Sequence, residues 1–313
     1  MLLRIFATWR ARVLAILIIL FIGLAVTLTN LPREADRIAF EHKLEVRVIG
    51  DTEQKILKVP VDATVLGGKV YVVDAGLPGV KVFSGEGKEL FEFRGIRYHD
   101  IKGAELKYPS AITVGPTGMI YVADLTGAKI VVFDENGIAK KVINIPKEGE
   151  RPAKPLSMTF DLLGHLYVGE GETGKIMIFS DDKFLREFAV GKLDHPNGIA
   201  VDSKRRIFVS DSNNRRIIVY DQNGRPEREW RLRDKKSFVP RDIVFDGSGR
   251  LVVADMLNSR IVFLNDEGEQ TKQLMRLPNM DQLFLPSGLE IDKHNNLVIV
   301  DRGLSQVFVL QVP

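Results

Sequence analysis

Asp62, Asn197, Arg241 and Asp242 each stand one or two residues after a proline that opens a short run of alternating apolar residues. Carboxylate and amide oxygens gathered from separate segments suit a hard cation such as calcium, and with a guanidinium among them they suit a polar organic ligand. The plainer use of such residues is to cap strand ends and order water. Either use requires that distant segments converge.

Other reactive patterns are thin. Residues 169–176 read Gly-Glu-Gly-Glu-Thr-Gly-Lys-Ile, close to a phosphate-binding loop, but no Ser or Thr follows the lysine to hold magnesium. The segment also leads into a strand pattern rather than a helix, and Glu170 and Glu172 would repel phosphate, so no nucleotide is expected. No Ser-His-Asp set or nucleophile elbow stands out. Arginines and lysines crowd residues 205–241, yet Glu227, Glu229 and Asp234 interrupt them, which suits a solvated strand or a patch for an acidic partner. Trp230 within that run is a candidate interface anchor, flanked by Arg231 and Arg233.

The elements that must position these residues recur. Pro60, Pro109, Pro155, Pro196, Pro240 and Pro286 are spaced 49, 46, 41, 44 and 46 residues apart. Each opens a short strand that runs into an apolar-aromatic strand ending in an acid. A period of this size with four short strands per unit describes an array closed into a ring. Recurrent glycines, Gly118, Gly137, Gly224 and Gly268 among them, supply turn positions between the strands. The last unit stops after a third strand near residue 312, so residues 43–49 (Lys-Leu-Glu-Val-Arg-Val-Ile) are expected to supply the fourth and seal the ring.

A second signal is polar. Asp124/Lys129, Glu170/Lys175, Asp211/Arg216 and Asp255/Arg260 are acid–base pairs five residues apart. Asp74/Lys81 carries an insertion, and Asp301 faces Gln306. These pairs read as staples of the loop between second and third strands.

Through the units Pro-Asn-Gly-Ile-Ala-Val-Asp (196–202), Ile-Tyr-Val-Ala-Asp (120–124) and Asp-Ser-Asn-Asn-Arg-Arg-Ile (211–217), residues 43–313 resemble the NHL-repeat family of six-bladed β-propellers. The resemblance implies an all-β, six-bladed β-propeller with four-stranded blades; it does not imply one activity. Gluconolactonase-like propellers hold a divalent metal with an Asn and an Asp after the blade prolines. Asn197 matches the first, but Arg241 stands where the second would be. Peptide-amidating lyases place zinc histidines after the blade proline, and none of the six positions here is histidine. No cofactor is therefore expected, with calcium at the channel mouth the one candidate.

Composition bounds the partners. The chain has 313 residues, 45% of them apolar, and no cysteine, which excludes disulfides and thiolate metal sites. Arg4, Arg10 and Arg12 are the only charges before residue 31; beyond it 41 basic residues face 41 acidic ones. The ring is formally neutral, and no nucleic acid partner is expected.

Residues 13–28 are uncharged and almost wholly apolar, behind those three arginines. Their length, about 24 Å as a helix, suits a short transmembrane signal-anchor with a cytoplasmic amino-terminus; the alternative is a cleaved signal peptide, whose small-x-small site Ala25 and Thr27 match poorly. The organisation expected is a tail and anchor over 1–30, a charged tether over 31–42 and the propeller over 43–313. The ring would lie in the periplasm or outside the cell.

The long connections, residues 93–107, 146–154, 231–239 and 276–285, all fall on the face that carries the loops into the innermost strands. Binding chemistry concentrates on such loops. Arg97, Tyr98 and His99 in the first of them join Trp230, Arg231 and Arg233 as partner contacts. The expected function is a non-catalytic binding, scaffold or sensor module in an envelope or membrane complex. The alternative is a metal-dependent lactonase- or lyase-like hydrolase at the channel mouth.

Overall fold

The computed structural model describes residues 46–50, 56–95, 101–147, 149–232, 238–277 and 282–311. All of them belong to the second of two units into which the chain divides, Lys43–Pro313. The apolar stretch 13–28 and the tether lie outside the described residues. Among the described residues no helix is long and apolar enough to cross a membrane.

Strands of this unit form six antiparallel four-stranded sheets. The innermost strands are Pro60–Leu66, Pro109–Val114, Pro155–Phe160, Pro196–Val201, Pro240–Phe245 and Pro286–Ile291. Each touches the next around the ring, and the sixth touches the first. Proline suits the first position because it removes an amide where ladder pairing has not yet begun. Every second strand from Ile120–Asp124 to Leu251–Asp255 is buried along its whole length, sheet packing on sheet across both faces. The apolar core therefore lies between blades: Phe93 and Phe133 meet at 4.8 Å between blades one and two, and Phe208 and Phe245 at 5.0 Å between blades four and five.

The ring closes as the sequence suggests. Val46–Ile49 pairs antiparallel with Gln306–Gln311, Val46 opposite Leu310 and Ile49 opposite Val307, which makes it the fourth strand of blade six. Residues 43–45 of the expected closing strand lie outside the described residues.

The two faces differ in build. On the lower face, tight turns close on an Asp, Asn or Ser that accepts amides of its own turn, as Asp161 does from Leu163 and His165 and Asp221 from Asn223 and Arg225. On the upper face, blades are joined by the long connections.

Candidate functional site: the channel and its rim

The acid that ends each second strand organises the upper face. Asp301 accepts four backbone amides: Phe284 at 2.7 Å, Leu285 at 3.0 Å, Gly303 at 3.0 Å and Leu304 at 3.1 Å. Asp74 does the same with Lys58, Val59, Gly76 and Leu77. One carboxylate thus holds both its own loop and the residues leading into the blade proline. The basic partner is variable. Asp211–Arg216 and Asp255–Arg260 are ion pairs at 2.7 Å, and Asp124–Lys129 is looser at 3.8 Å. Lys81 instead pairs with Glu89 and Glu92, and Lys175 reaches Glu187 on the outer strand. The staple is mainly carboxylate to amide; the base is secondary.

The loop that resembles a phosphate cradle is built this way too. Glu170 accepts the amides of Glu172 and Thr173 and the Thr173 hydroxyl, occupying the donors that a phosphate would use.

Directly after each proline the ladder slips. Pairing runs from Pro196–Asp211 to Gly198–Ser210, which leaves Asn197 unpaired, and from Pro240–Asp255 to Ile243–Val253, which frees both Arg241 and Asp242. A bulge of this kind re-aims a side chain, here into the channel. Asp62, Asn197, Arg241 and Asp242 accordingly line one cavity of about 460 Å³ that takes residues from all six blades.

Asp62 and Asp242 have equivalent positions. Asp62 accepts Ala63 of its own strand and Ile112 of the next blade, both at 2.8 Å. Asp242 accepts Ile243 and, one blade on, Leu289, again at 2.8 Å. Each acid faces a glycine of the preceding blade, Gly288 for Asp62 and Gly198 for Asp242, where a Cβ would strike the acid's Cα. These two carboxylates strap neighbouring blades. Serines add to the ring: Ser110, Ser157 and Ser212 donate to the carbonyls of Pro155, Pro196 and Pro240 in the following blades.

Asn197 donates to the Ser212 hydroxyl at 2.8 Å and accepts a hydrogen bond from Arg241 Nη1. Its oxygen is thus already engaged by a guanidinium. Among the described residues, no three His, Cys, Asp or Glu side chains are gathered so as to hold a metal ion.

Glu290 is the functional candidate that reasoning confined to the residues after each proline overlooked. It occupies the fourth position after Pro286, where the other innermost strands carry Thr64, Thr113, Thr159, Ala200 and Val244. It is the lone charge in that column, a signal visible once the repeats are aligned. Its carboxylate accepts Thr64 Oγ1 and the Ile291 amide, both at 3.0 Å.

Enclosure governs the electrostatics. Burial raises Glu290 to about 7, with repulsion from Asp242 and Asp292 adding to it against the hydrogen bonds from Thr64 and Ile291. Burial lifts Asp242 to about 6, although two amides and Arg241 oppose it. Asp62 is pushed well above the carboxylate range by burial and then by Asp242. Burial lowers Arg241, against the pull of Asp242.

The rim residues fare differently. Arg97, Tyr98, His99 and Arg233 lie outside the described residues. Arg231 is exposed and bonded to Glu229 and to the carbonyl of Asn214. Trp230 corrects the expectation of an exposed anchor: only 7% of it is accessible. Its ring lies 5.3 Å from Phe208 and under Gly268 of the next blade, as Phe93 lies under Gly137 and Phe188 under Gly224. It is core. The arginines of blade four are also engaged: Arg206 bonds Asp202 and Asp266, Arg216 bonds Asp211 and Glu229, and Arg228 reaches the Asp266 carbonyl.

Fold and site define an all-β, six-bladed propeller whose channel is lined by strapped polar residues. The NHL repeat family model matches residues 193–220, the stretch that holds Asn197 and Asp211. Protein brain tumor of Drosophila melanogaster is 33% identical over 122 residues, 37% of this chain and 12% of that protein. NHL repeat-containing protein 3 of Homo sapiens is 26% identical over 284 residues, 80% of this chain and 77% of that protein. The chain spans 12% and 14% of the length of the first curated relatives it matches. Among solved structures, virginiamycin B lyase from Staphylococcus aureus superposes with a TM-score of 0.62 at 15% identity, over 87% of this chain and 100% of that one. That likeness concerns fold alone. The chain is a six-bladed β-propeller that carries an NHL repeat at residues 193–220.

Proposed function

We propose that this propeller is a membrane-anchored binding module, held by residues 13–28 with its amino-terminus in the cytoplasm and its ring in the periplasm or outside the cell. It serves as a scaffold or sensor in an envelope or membrane protein complex, and nucleic acid and nucleotides are not its ligands. The observation that carries this reading is the asymmetry of the ring. One face ends in tight turns that close on themselves, while the other carries every long blade-to-blade connection on a frame pinned by buried carboxylates. Rigid frames with variable loops on one face are the usual platform for recognition.

A reporter fused after residue 313 should be active outside the cytoplasm and silent when fused as a cytoplasmic reporter. Purification from detergent-solubilised membranes should retain a stoichiometric partner that Arg97→Glu releases. A cytoplasmic ring, or a monodisperse ring without a partner, would overturn the proposal.

A second reading, a metal-dependent lactonase- or lyase-like hydrolase, is favoured by the channel cavity and by the fold shared with virginiamycin B lyase. The Arg241–Asn197 contact weighs against it, because a cation at Asn197 would meet a guanidinium. Calcium or zinc retained by the purified protein and lost in Asn197→Ala would favour this reading over the first.

A further inference from the structure

Arg241 has more hydrogen-bonding capacity than its protein partners use. Its guanidinium lines the channel cavity, part-buried, and carries five N–H donors. The one side chain it bonds is Asn197, and it forms no ion pair among the described residues. Asp242 and Asp62 act on it through space, and each accepts one backbone amide on either oxygen, from its own and the next blade, without bonding the guanidinium. Arg302 adds like charge from the rim. A part-buried guanidinium without a carboxylate partner is costly, and its fork matches a carboxylate held by two parallel hydrogen bonds.

Farther along the channel stands an acid of opposite sign. Glu290 lines the same cavity three strand positions deeper than Arg241, an axial offset of about 10 Å at the rise of an extended chain. Each of its oxygens accepts one hydrogen bond, from Thr64 or Ile291, and an ionised carboxylate oxygen can accept more than one. Asp242 lies near enough to act on it. The cavity wall also offers Ser157, Met158 and, level with Glu290, Thr113. Arg241 at the mouth, flanked by the strapped carboxylates of Asp62 and Asp242, and Glu290 deeper offer a fork for a carboxylate and an acceptor for an ammonium. The volume, about 460 Å³, falls within the range of small-molecule sites.

We propose that the channel binds a small, extended zwitterion, its carboxylate paired with Arg241 at the mouth and its ammonium held by Glu290 below. The chemical class is an ω-amino acid or a short peptide, in which the two charges are several atoms apart. This site is independent of any partner on the rim loops, so its failure would leave the binding-module proposal standing.

Titration calorimetry of the full chain in detergent at pH 8 tests it, with 5-aminopentanoate and diglycine as probes and pentanoate and pentylamine as half-ligands. The bifunctional probes should bind at least tenfold more tightly than either half-ligand. Arg241→Met should weaken them at least tenfold, and Glu290→Gln should do so while leaving pentanoate binding unchanged. Should Arg241→Met fail to fold, Arg241→Lys, which keeps the charge but not the fork, should still weaken the carboxylate-bearing probes. No binding of any probe, half-ligands that match the bifunctional ones, or affinities unchanged in the Arg241 or Glu290 variants would overturn the proposal.

Discussion

Arg241 donates a hydrogen bond through Nη1 to the side-chain oxygen of Asn197, one blade back around the channel. The guanidinium therefore sits where a cation bound to Asn197 would lie. Replacing it should convert the site. Arg241→Asp adds an oxygen ligand beside Asn197 and Asp242 and removes the competing charge. We expect this variant to gain calcium binding with a Kd of roughly 10⁻⁴–10⁻³ M, as in weak extracellular calcium sites. Calorimetry against wild type checks it; an absence of calcium-dependent heat in the variant would refute the assignment.

Asp301 isolates the staple, since Gln306 stands opposite it in place of a base. Its carboxylate is fully buried and accepts four amides. Asp301→Asn removes one acceptor and the charge, and should cost about 2–4 kcal/mol in urea unfolding. A loss below about 1 kcal/mol would mean that the ion pairs, rather than the amides, hold the other blades.

Glu290 makes stability depend on pH in a definite sense. A carboxyl held protonated up to about 7 keeps a proton that the unfolded chain has released above its ordinary value of 4.5. Stability is therefore lost as pH rises from about 4.5 to 7 and is constant above. Relative to wild type, Glu290→Gln should gain about 2–3 kcal/mol of stability between pH 5 and pH 8. Denaturation curves at the two pH values check the difference, and a gain of equal size at both would contradict it.

Trp230 and Gly268 form a blade contact rather than a surface. Gly268 has φ +82° and a Cβ there would overlap the indole, whereas Gly249, with φ +81°, has nothing within 4 Å of such a Cβ. Gly249→Ala should cost about 1 kcal/mol through backbone strain, and Gly268→Ala about 2–4 kcal/mol because overlap is added. Equal losses would argue against close packing at Trp230.

Blade number and closure were legible because proline marks the start of each innermost strand and the missing fourth strand had one apolar candidate, found at Val46–Ile49. The second-strand acids were legible because they end apolar runs at a constant place. Trp230 was misread from its charged neighbours. Those neighbours are all exposed on an edge strand, while position 230 falls in the column of Phe93 and Phe188, which turn inward at the strand's end. The partners of Lys81 and Lys175 were illegible because they come from glutamates on outer strands whose spacing varies. Glu290 is an inward residue deeper in the channel, visible by comparing blades position by position rather than by reading forward from each proline.

Recognition by the loop-bearing face is the claim on which the functional account rests, and photocrosslinking in intact cells tests it most directly. A crosslinking amino acid at exposed Lys102, in the connection between blades one and two, is compared with one at exposed Ser203, in a lower-face turn. The account predicts one discrete protein adduct from position 102 and none from position 203. An adduct from position 203 alone, or from neither, would contradict it.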